Sequence, residues 1–271
     1  MTRFARADLI DIQSEIWDSI LVLCNGLQLT DWEKQTNCPT WTVKDCLSHL
    51  IGVESRLLGL PVPEIEIEKL EHVKNSQGLD NELDIMSRRS KPPRDIVREF
   101  VAVTGLRIDY LRNEKDFSVK VESPVGMGSL ADQVSVRIFD CWIHQQDIKM
   151  AIGAKCDFVS AAANLSFDRM YSVMPFVVGK KVAPINGTKI LFEIHCDEKV
   201  VQKAVHVSDN KASFSSDSVD HDVSIVCTDE LFFLLTCGRI SPEKAIRDGS
   251  VEFRGDKLLG ERVASNMNFM I

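Results

Sequence analysis

The sequence predicts a mainly α bundle followed by a smaller α+β domain. Up to about Gly153 the apolar residues recur at helical spacing, whereas from about Gly187 they alternate with polar residues as strands do. A helical segment near residues 160–176 joins the two patterns. The chain has 271 residues, which is long enough for two domains, and we place them at residues 1–155 and 156–271.

The first domain is predicted to contain helices near residues 4–25, 42–58, 93–112 and 130–152. Capping boxes mark two of the starts, where Thr42 is followed by Asp45 and Ser129 by Asp132. Trp41 and Cys46 then occupy the two positions of a hydrophobic staple. The starts of the second and fourth helices are therefore well marked.

A long connection, from Gly59 to Pro92, separates the second and third of these helices. A segment of this length can recross a helix of about 25 Å at 1.5 Å per residue, whereas antiparallel neighbours need only a short loop. The two helices are therefore predicted to run parallel. Residues 68–75 are predicted to form a helical turn, and the remaining charged part a mobile cover.

The second domain is predicted to alternate between strands and short helices. Thr228 and the pair Ser241-Pro242 open two of the helices, and the tail is helical from Asp256. The strands are expected at residues 188–196, 200–207, 222–228 and 250–255.

Composition excludes several classes of protein. The formal charge is −8, the acidic residues are scattered, and no stripe of Lys and Arg suggests a nucleic-acid surface. No segment approaches the roughly twenty apolar residues of a membrane span, and the charged start predicts neither a signal peptide nor a membrane anchor. We expect a cytoplasmic protein without nucleic-acid or membrane partners, whose oligomeric state stays open.

The eight cysteines are spread without any C-x-x-C pair, and most lie within apolar patterns. Such a distribution is typical of reduced, buried thiols in the cytoplasm. A catalytic cysteine stays an alternative, but buried packing is favoured for each.

The last helix of the first domain, which contains "FDCWIHQQDI", carries two polar arcs. The arc around Lys149 is predicted to face solvent, because a lysine can extend its charge to water. The other arc spans about 80° on a helical wheel and contains Gln133, Arg137, Asp140, His144 and Asp147.

Asp140 and His144 are four residues apart, so their side chains lie one turn apart on one helix face. This is the spacing of metal ligands, although a solvated Asp–His pair has the same spacing. A third ligand from another helix would favour a metal site. His49, at the edge of the inward face of the second helix, is a candidate for that ligand. The alternative is a core histidine with a hydrogen-bond partner.

The stretches "DWEKQTNCPTWTVKDCLSHL" and "RIFDCWIHQQDIKMAIG" together resemble the mycothiol-dependent maleylpyruvate isomerase family, among the DinB-like metal-binding four-helix bundles. The later stretch "LFFLLTCGRISPEKAIRDGSVEFRGD" resembles the family's C-terminal domain, which is related to sterol-carrier-like α+β folds. The resemblance implies a divalent metal, typically zinc, held by His49, Asp140 and His144. The isomerase has Glu-x-x-x-His where this chain has Asp140, so the resemblance supports the family better than the substrate maleylpyruvate.

Two imidazoles and one carboxylate would leave zinc with an open position, as in catalytic sites. The resemblance implies that a low-molecular-weight thiol such as mycothiol loses its proton there and becomes a metal-bound thiolate. The thiolate would then isomerise a cis-enoyl acid or be transferred to an electrophile. The alternative is a non-catalytic binding protein whose C-terminal domain holds a small ligand or partner. Nickel, cobalt and iron accept similar ligands.

Other polar residues of the first domain are expected to support the site. Glu54 lies on the apolar arc of its helix and is predicted to pair with Arg88 or Arg107, in preference to acting as a catalytic base. Arg137 and Asp147 are expected to orient the two ligands on the last helix, although ordinary surface pairing would have the same spacing.

Arg239 and Arg254 are catalytic candidates in the second domain, which is expected to border the metal cleft. Either arginine would bind a carboxylate of cofactor or substrate, and the alternative for each is an ordinary surface arginine. Cys141 is not counted as a ligand, because it points about 100° away from Asp140. The histidines without partners at ligand spacing are His72, His195, His206 and His221.

Overall fold

The predicted change from helices to strands is present in the structure, a computed structural model that describes residues 5–61, 65, 70, 73–123, 126–197, 199–216 and 220–270. The chain divides into two compact units, Met1–Leu165 and Ser166–Ile271. This division falls after Leu165, inside helix α6 (Ala161–Phe176), rather than after residue 155. The predicted fold class, a helical bundle followed by an α+β part, is confirmed.

The first unit, called here the bundle unit, is built on helices whose ends agree with the sequence prediction to within a few residues. Both predicted capping boxes are present, at Thr42 and Ser129. The elements of this unit are α1 (Arg6–Asn25), a 3₁₀ turn (Leu29–Glu33), α2 (Val43–Leu57), α3 (Ser76–Met86), α4 (Pro93–Asn113), β1 (Lys120–Ser123), β2 (Gly126–Ser129) and α5 (Leu130–Ile152).

Helices α2 and α4 run in the same direction. Asp45, at the start of α2, pairs with Arg89, which lies just before α4. Glu54, further along α2, pairs with Arg107, which lies further along α4. The start of α2 thus lies beside the start of α4, and later residues of α2 lie beside later residues of α4. The two helices are parallel, as the long crossover predicts.

The second half of the crossover is an ordered helix, so the prediction of a mobile cover there was wrong. Helix α3 packs against α2. Three of its side chains are buried, namely Glu82, Asp84 and Ile85. The predicted helical turn at residues 68–75 lies mostly outside the described residues, as does His72.

Close approach of α3 to α2 requires a glycine. A Cβ atom added at Gly52 would lie 2.0 Å from Cγ of Asp84, which is far inside van der Waals contact. Asp84 also pairs with Arg56 at the C-terminal end of α2. The crossover is therefore fixed to α2 by a close contact and an ion pair, both of which link residues distant in sequence.

The prediction that the Lys149 arc of α5 faces solvent was also wrong. Trp142 and Gln145, which belong to that arc, are fully buried. The indole N–H of Trp142 donates to the carbonyl of Asp157, and the amide of Gln145 donates to Ser19 in α1. Because other segments supply hydrogen-bond partners, α5 is buried on both of its polar arcs.

The second unit, called here the sheet unit, contains the predicted strands and helices together with β5, which the sequence analysis missed. Its strands form one five-stranded sheet in the order β5-β4-β3-β6-β7. The pair β3–β6 is parallel and the other neighbours are antiparallel. The elements are β3 (Lys189–Cys196), β4 (Lys199–Ser208), β5 (Lys211–Ser215), β6 (Val223–Thr228), α7 (Asp229–Thr236), α8 (Pro242–Arg247), β7 (Glu252–Gly255) and α9 (Lys257–Ala264).

The core of the sheet unit is apolar. Strand β6 is buried from Val223 to Cys227 without alternation, which is typical of a central strand covered on both faces. Helix α7 packs on β3 and β6, and α9 packs on β6 and β7. Phe192 and Phe232 are among the fully buried side chains that fill this unit.

Candidate metal centre

Two helices bring His49, Asp140 and His144 together in the bundle unit. His49 comes from α2, whereas Asp140 and His144 lie one turn apart on α5. Nε2 of His49 is 3.1 Å from Oδ2 of Asp140, and Nε2 of His144 is 3.7 Å from Oδ1. One ligand atom from each residue lies within 4.8 Å of the others.

The cluster is nearly enclosed, with one partly exposed member. His49 and His144 are each 4% exposed, while the Asp140 side chain is 19% exposed. Between Val136 and Ile148, Asp140 is the one residue of α5 that is not buried. Solvent therefore reaches this stretch of α5 mainly at the carboxylate.

Each imidazole is oriented in a different way. Nδ1 of His144 is 3.0 Å from Oδ2 of the fully buried Asp147, which leaves Nε2 free to face Asp140. Nδ1 of His49 is buried and has no hydrogen-bond partner among the described residues. The ring of His49 is instead packed against Trp41, with ring centroids 4.9 Å apart.

A chain of buried charges extends from Asp140 into the bundle. Nη1 of Arg137 is 2.5 Å from Oδ2 of Asp140, and Nε of Arg137 is 2.7 Å from Oε1 of Glu54. Oε2 of Glu54 is 3.3 Å from Nε of Arg107. Of the two partners predicted for Glu54, the structure therefore places Arg107 beside it, while Arg88 binds Glu99 at 2.7 Å.

Electrostatics favour the protonation states that metal ligands require. Burial by itself would raise the pKa of Asp140, but Arg137 and His49 hold it well below its usual value. Burial lowers the pKa of His49 to about 4, although the Asp140 carboxylate acts in the opposite direction. At neutral pH the cluster therefore presents an ionised carboxylate and a neutral imidazole, both able to donate a lone pair.

The donor set and its spacing fit a divalent cation. Ligands about 2.1 Å from a tetrahedral zinc ion lie roughly 3.4 Å from one another. The two separations given above, which involve different oxygens of Asp140, are close to that value. Within the described part of the chain, no fourth His, Cys, Asp or Glu joins this group. A cation bound here would keep a coordination position that none of these described residues fills.

Two cysteines lie close to the cluster. Cys46 forms a second group with His144 and Asp147, in which ligand atoms also lie within 4.8 Å of one another. All three are buried, and His144 and Asp147 are already hydrogen-bonded to each other. Burial raises the pKa of the Cys141 thiol to about 12, so this residue stays protonated and is a poor nucleophile.

The two arginines predicted in the sheet unit have local partners. Nη1 of Arg239 donates to the carbonyl of Cys237 at 2.9 Å. Arg254 is exposed and pairs with Glu252 at 2.7 Å and with Glu193 at 3.1 Å. Both guanidinium groups therefore already take part in hydrogen bonds within their own unit.

Trp41 and Glu82 belong to the surroundings of the cluster but were missed as site residues. The sequence pattern predicts Trp41 as part of a hydrophobic staple and predicts no role for Glu82. In the structure the Trp41 indole lies against both imidazoles, and its N–H donates to Oε1 of Glu82 at 2.9 Å. No periodic pattern in the sequence connects these two residues.

Fold and site together define a helical bundle with a long crossover and a buried His–Asp–His cluster, joined to an α+β unit. Residues 14–149 match the family described as "Mycothiol maleylpyruvate isomerase N-terminal domain". The match spans half of the chain, and the chain belongs to this family. Comparison with curated protein sequences gives no match.

Solved structures with a similar fold include two crystal structures of the mycothiol-dependent maleylpyruvate isomerase, one of them of a point mutant. The mutant structure has a TM-score of 0.57 and 11% identity and covers 92% of this chain and 93% of its own. The other has a TM-score of 0.56 and 11% identity, with coverage of 88% and 91%. At this identity the likeness shows a shared fold.

A sterol carrier protein 2 like 2 from Aedes aegypti is also similar, with a TM-score of 0.29 and 18% identity over 36% of this chain and 89% of that protein.

None of the helices in the described part of the chain is both long and apolar enough to cross a membrane.

Proposed function

We propose that this chain is a divalent-metal-dependent enzyme that uses a low-molecular-weight thiol, acting as a mycothiol-type S-transferase or a maleylpyruvate-type cis–trans isomerase. The observation that carries the proposal is the convergence of His49, Asp140 and His144 from two helices at ligand spacing. Membership of the mycothiol maleylpyruvate isomerase family supports the choice of thiol and reaction.

In this proposal the three residues hold the cation, zinc in the first instance. Bound there, the cation would supply a Lewis acid that lowers the pKa of a coordinating thiol. Asp147 holds the Nδ1 proton of His144, so the Nε2 lone pair stays available. Arg137 keeps Asp140 ionised and fixed in orientation, and Glu54 balances the charge of Arg137.

The reaction follows from thiol chemistry. A thiolate adds to one carbon of a cis-enoyl acid, and the electron pair of the double bond moves onto the adjacent carbonyl. The remaining single bond rotates, the carbon–sulfur bond breaks, and the trans double bond forms as the thiolate leaves. With an electrophile that keeps the new bond, protonation of the adduct gives a conjugate instead.

Partial exposure of Asp140 supports an enzyme over a non-catalytic binding protein. A structural metal site is usually closed by four protein ligands, whereas a catalytic one keeps a position for water or substrate. Here three ligands are present in the described part of the chain, and the carboxylate is the point that solvent reaches.

Metal content tests the proposal directly. Purified protein should bind about one divalent ion per chain, because one set of three ligands defines one site. His49→Ala and His144→Ala should each lose the ion while keeping the helical circular-dichroism signal. His195→Ala is the matched control, because His195 is half-exposed on the sheet unit. Full occupancy in either ligand variant by elemental analysis would exclude this site.

Activity then separates the two reaction types. Zinc-loaded protein is incubated with mycothiol or another cellular thiol and either maleylpyruvate or a model electrophile. Isomerisation without thiol consumption supports the isomerase, and a stable conjugate supports the transferase. Activity that survives complete removal of the metal by a chelator would contradict the proposed mechanism.

A further inference from the structure

Three aromatic rings form a cluster at the proposed metal site. The Trp41 centroid is 4.9 Å from that of His49 and 5.4 Å from that of His144. The two imidazole centroids are 4.9 Å apart. Trp41 is 9% exposed, so its indole covers the imidazole pair from within the bundle.

The two imidazoles differ in how their ring orientation is fixed. His144 is held by Asp147 through Nδ1, which fixes the rotation of its ring. His49 has no equivalent hydrogen bond, because its buried Nδ1 lacks a partner among the described residues. Besides the 3.1 Å contact between Nε2 of His49 and Asp140, packing against Trp41 limits ring rotation in His49, whereas for His144 a carboxylate on Nδ1 fills that role.

Helix α3, in the crossover, fixes the position of Trp41. The indole N–H of Trp41 donates to Oε1 of Glu82 in α3, and both residues are buried. Helix α3 is seated on α2 through the close contact between Gly52 and Asp84. A buried indole N–H that lost its acceptor would be left unpaired away from water, which is unfavourable, so Glu82 holds the ring in one place.

We propose that Trp41 is a positioning residue for the two metal-binding imidazoles, and that helix α3 sets its position through Glu82. The inference rests on the proposed metal site, and it adds a role for the crossover. Trp41 touches neither thiol nor substrate in this account. It acts by limiting the orientations of His49, so that less ordering is needed when a cation binds.

Cobalt(II) alone is the probe, because imidazole and carboxylate sites accept it and its visible absorption reports coordination geometry. The dissociation constant and the spectrum are measured for the full chain and its variants. Trp41→Leu should weaken binding about tenfold or more, the usual effect of losing a group that orients a ligand. Its spectrum should broaden or shift, because His49 samples more orientations.

Trp142→Leu is the matched control. Trp142 is also a buried tryptophan of the bundle unit, and its indole N–H is also hydrogen-bonded, to the carbonyl of Asp157. It lies on the opposite arc of α5 from Asp140. This variant should lose stability without a change in cobalt affinity or spectrum.

Glu82 provides a test that keeps the tryptophan in place. Glu82→Gln retains a side-chain carbonyl that accepts the indole N–H, so affinity should stay close to the wild-type value. Glu82→Ala removes the acceptor and should weaken binding in the same direction as Trp41→Leu. Trp41→Phe keeps a ring over His49 and should lose less affinity than Trp41→Leu.

The outcomes distinguish the two proposals. Failure of the wild-type chain to bind cobalt would remove the metal site and the positioning role together. Wild-type binding with an unchanged constant and spectrum in Trp41→Leu and Glu82→Ala would overturn the positioning role and leave the metal site standing. Equal losses in Trp41→Leu and Trp142→Leu would also overturn it, since they would reflect general destabilisation.

Discussion

The interiors of the bundle unit and the sheet unit differ in charge. Among the described residues, every buried Lys, Arg, His, Asp or Glu lies between Lys44 and Asp147, inside the bundle unit. The buried polar residues of the sheet unit are uncharged and include Ser224 and Thr236. Burying charge costs free energy unless it is paired, and buried charges of the bundle unit lie in ion pairs such as that of Glu54 with Arg137. The bundle interior therefore depends on charge pairing and the sheet interior on apolar packing.

Among the proposed variants, removal of a buried charge from the bundle unit should lower the free energy of unfolding most. A small loss would contradict the difference between the two interiors. Glu54→Ala leaves Arg137 and Arg107 facing each other in the interior, and the free energy of unfolding should fall by about 3–5 kcal/mol. Urea denaturation followed by circular dichroism measures the loss.

Glu193→Ala is the control in the sheet unit. Glu193 pairs with the exposed Arg254, and such pairs contribute about 1 kcal/mol or less. Equal losses for Glu54→Ala and Glu193→Ala would show that the two interiors respond to charge in the same way.

A second comparison uses one helical glycine from each unit. In the bundle unit a Cβ at Gly52 would meet Asp84, and in the sheet unit a Cβ at Gly260 would lie 2.4 Å from Cδ1 of Phe253. Alanine at either position should destabilise its unit by about 1–3 kcal/mol through overpacking, less a helix-propensity gain of up to about 1 kcal/mol.

The two glycine variants should differ in cobalt affinity. Gly52→Ala displaces α3, and with it the Glu82 acceptor of Trp41, so cobalt should bind more weakly. Gly260→Ala should leave the cobalt dissociation constant unchanged. Identical cobalt affinities for the two variants would mean that the packing position of α3 on α2 does not influence the metal site.

The pH dependence of stability should differ from that of a protein with solvated histidines. The pKa of His49 is about 4 in the folded state, against 6.5 for a solvated histidine such as the unfolded chain exposes. Between these values the unfolded chain binds a proton that the folded chain does not, so stability falls as the pH drops from 6.5 to 4. The slope is at most about 1.4 kcal/mol per pH unit for one group.

Asp140 extends this loss to lower pH, because its folded pKa lies well below the ordinary 3.8. Urea denaturation of chelator-treated protein between about pH 7 and pH 5 measures the histidine part. His49→Gln should flatten the profile in that range. An unchanged slope in His49→Gln would assign the pH dependence to other groups.

The smallest effects are expected at the two arginines of the sheet unit. If either binds a carboxylate of thiol or substrate, Arg239→Ala or Arg254→Ala should raise the Michaelis constant of that compound while leaving metal content unchanged. Arg254 should have the weaker effect, because Glu193 and Glu252 already neutralise its charge. Unchanged Michaelis constants in both variants would remove the arginines from the proposal.

The sequence predicted those features that depend on local spacing. The capping boxes at Thr42 and Ser129 mark helix starts, and the separation of Asp140 and His144 places both on one face of α5. The alternation of apolar residues predicted strands β3, β4, β6 and β7. The helical wheel made His49 a candidate third ligand, with a core histidine as the alternative, and the resemblance to a family then included it in the implied ligand set.

The features that were missed depend on contacts between distant segments. Helix α3 has few apolar residues and is held by Gly52 and Asp84, whose approach no periodicity reveals. The Lys149 arc of α5 looked solvent-facing because its polarity was counted without the partners that Ser19 and Asp157 supply. Such partners become visible only when the chain is folded.

The burial of α5 has a consequence for hydrogen exchange. From Val136 to Ile148 every residue except Asp140 is buried, so the amides of this stretch should exchange with solvent mainly when the whole bundle unit opens. A cation that binds the folded state alone would slow that opening by mass action, in proportion to its concentration over its dissociation constant. Exchange at the α5 amides would therefore report occupancy of the proposed metal site, measured by mass spectrometry without a chromophore or a substrate.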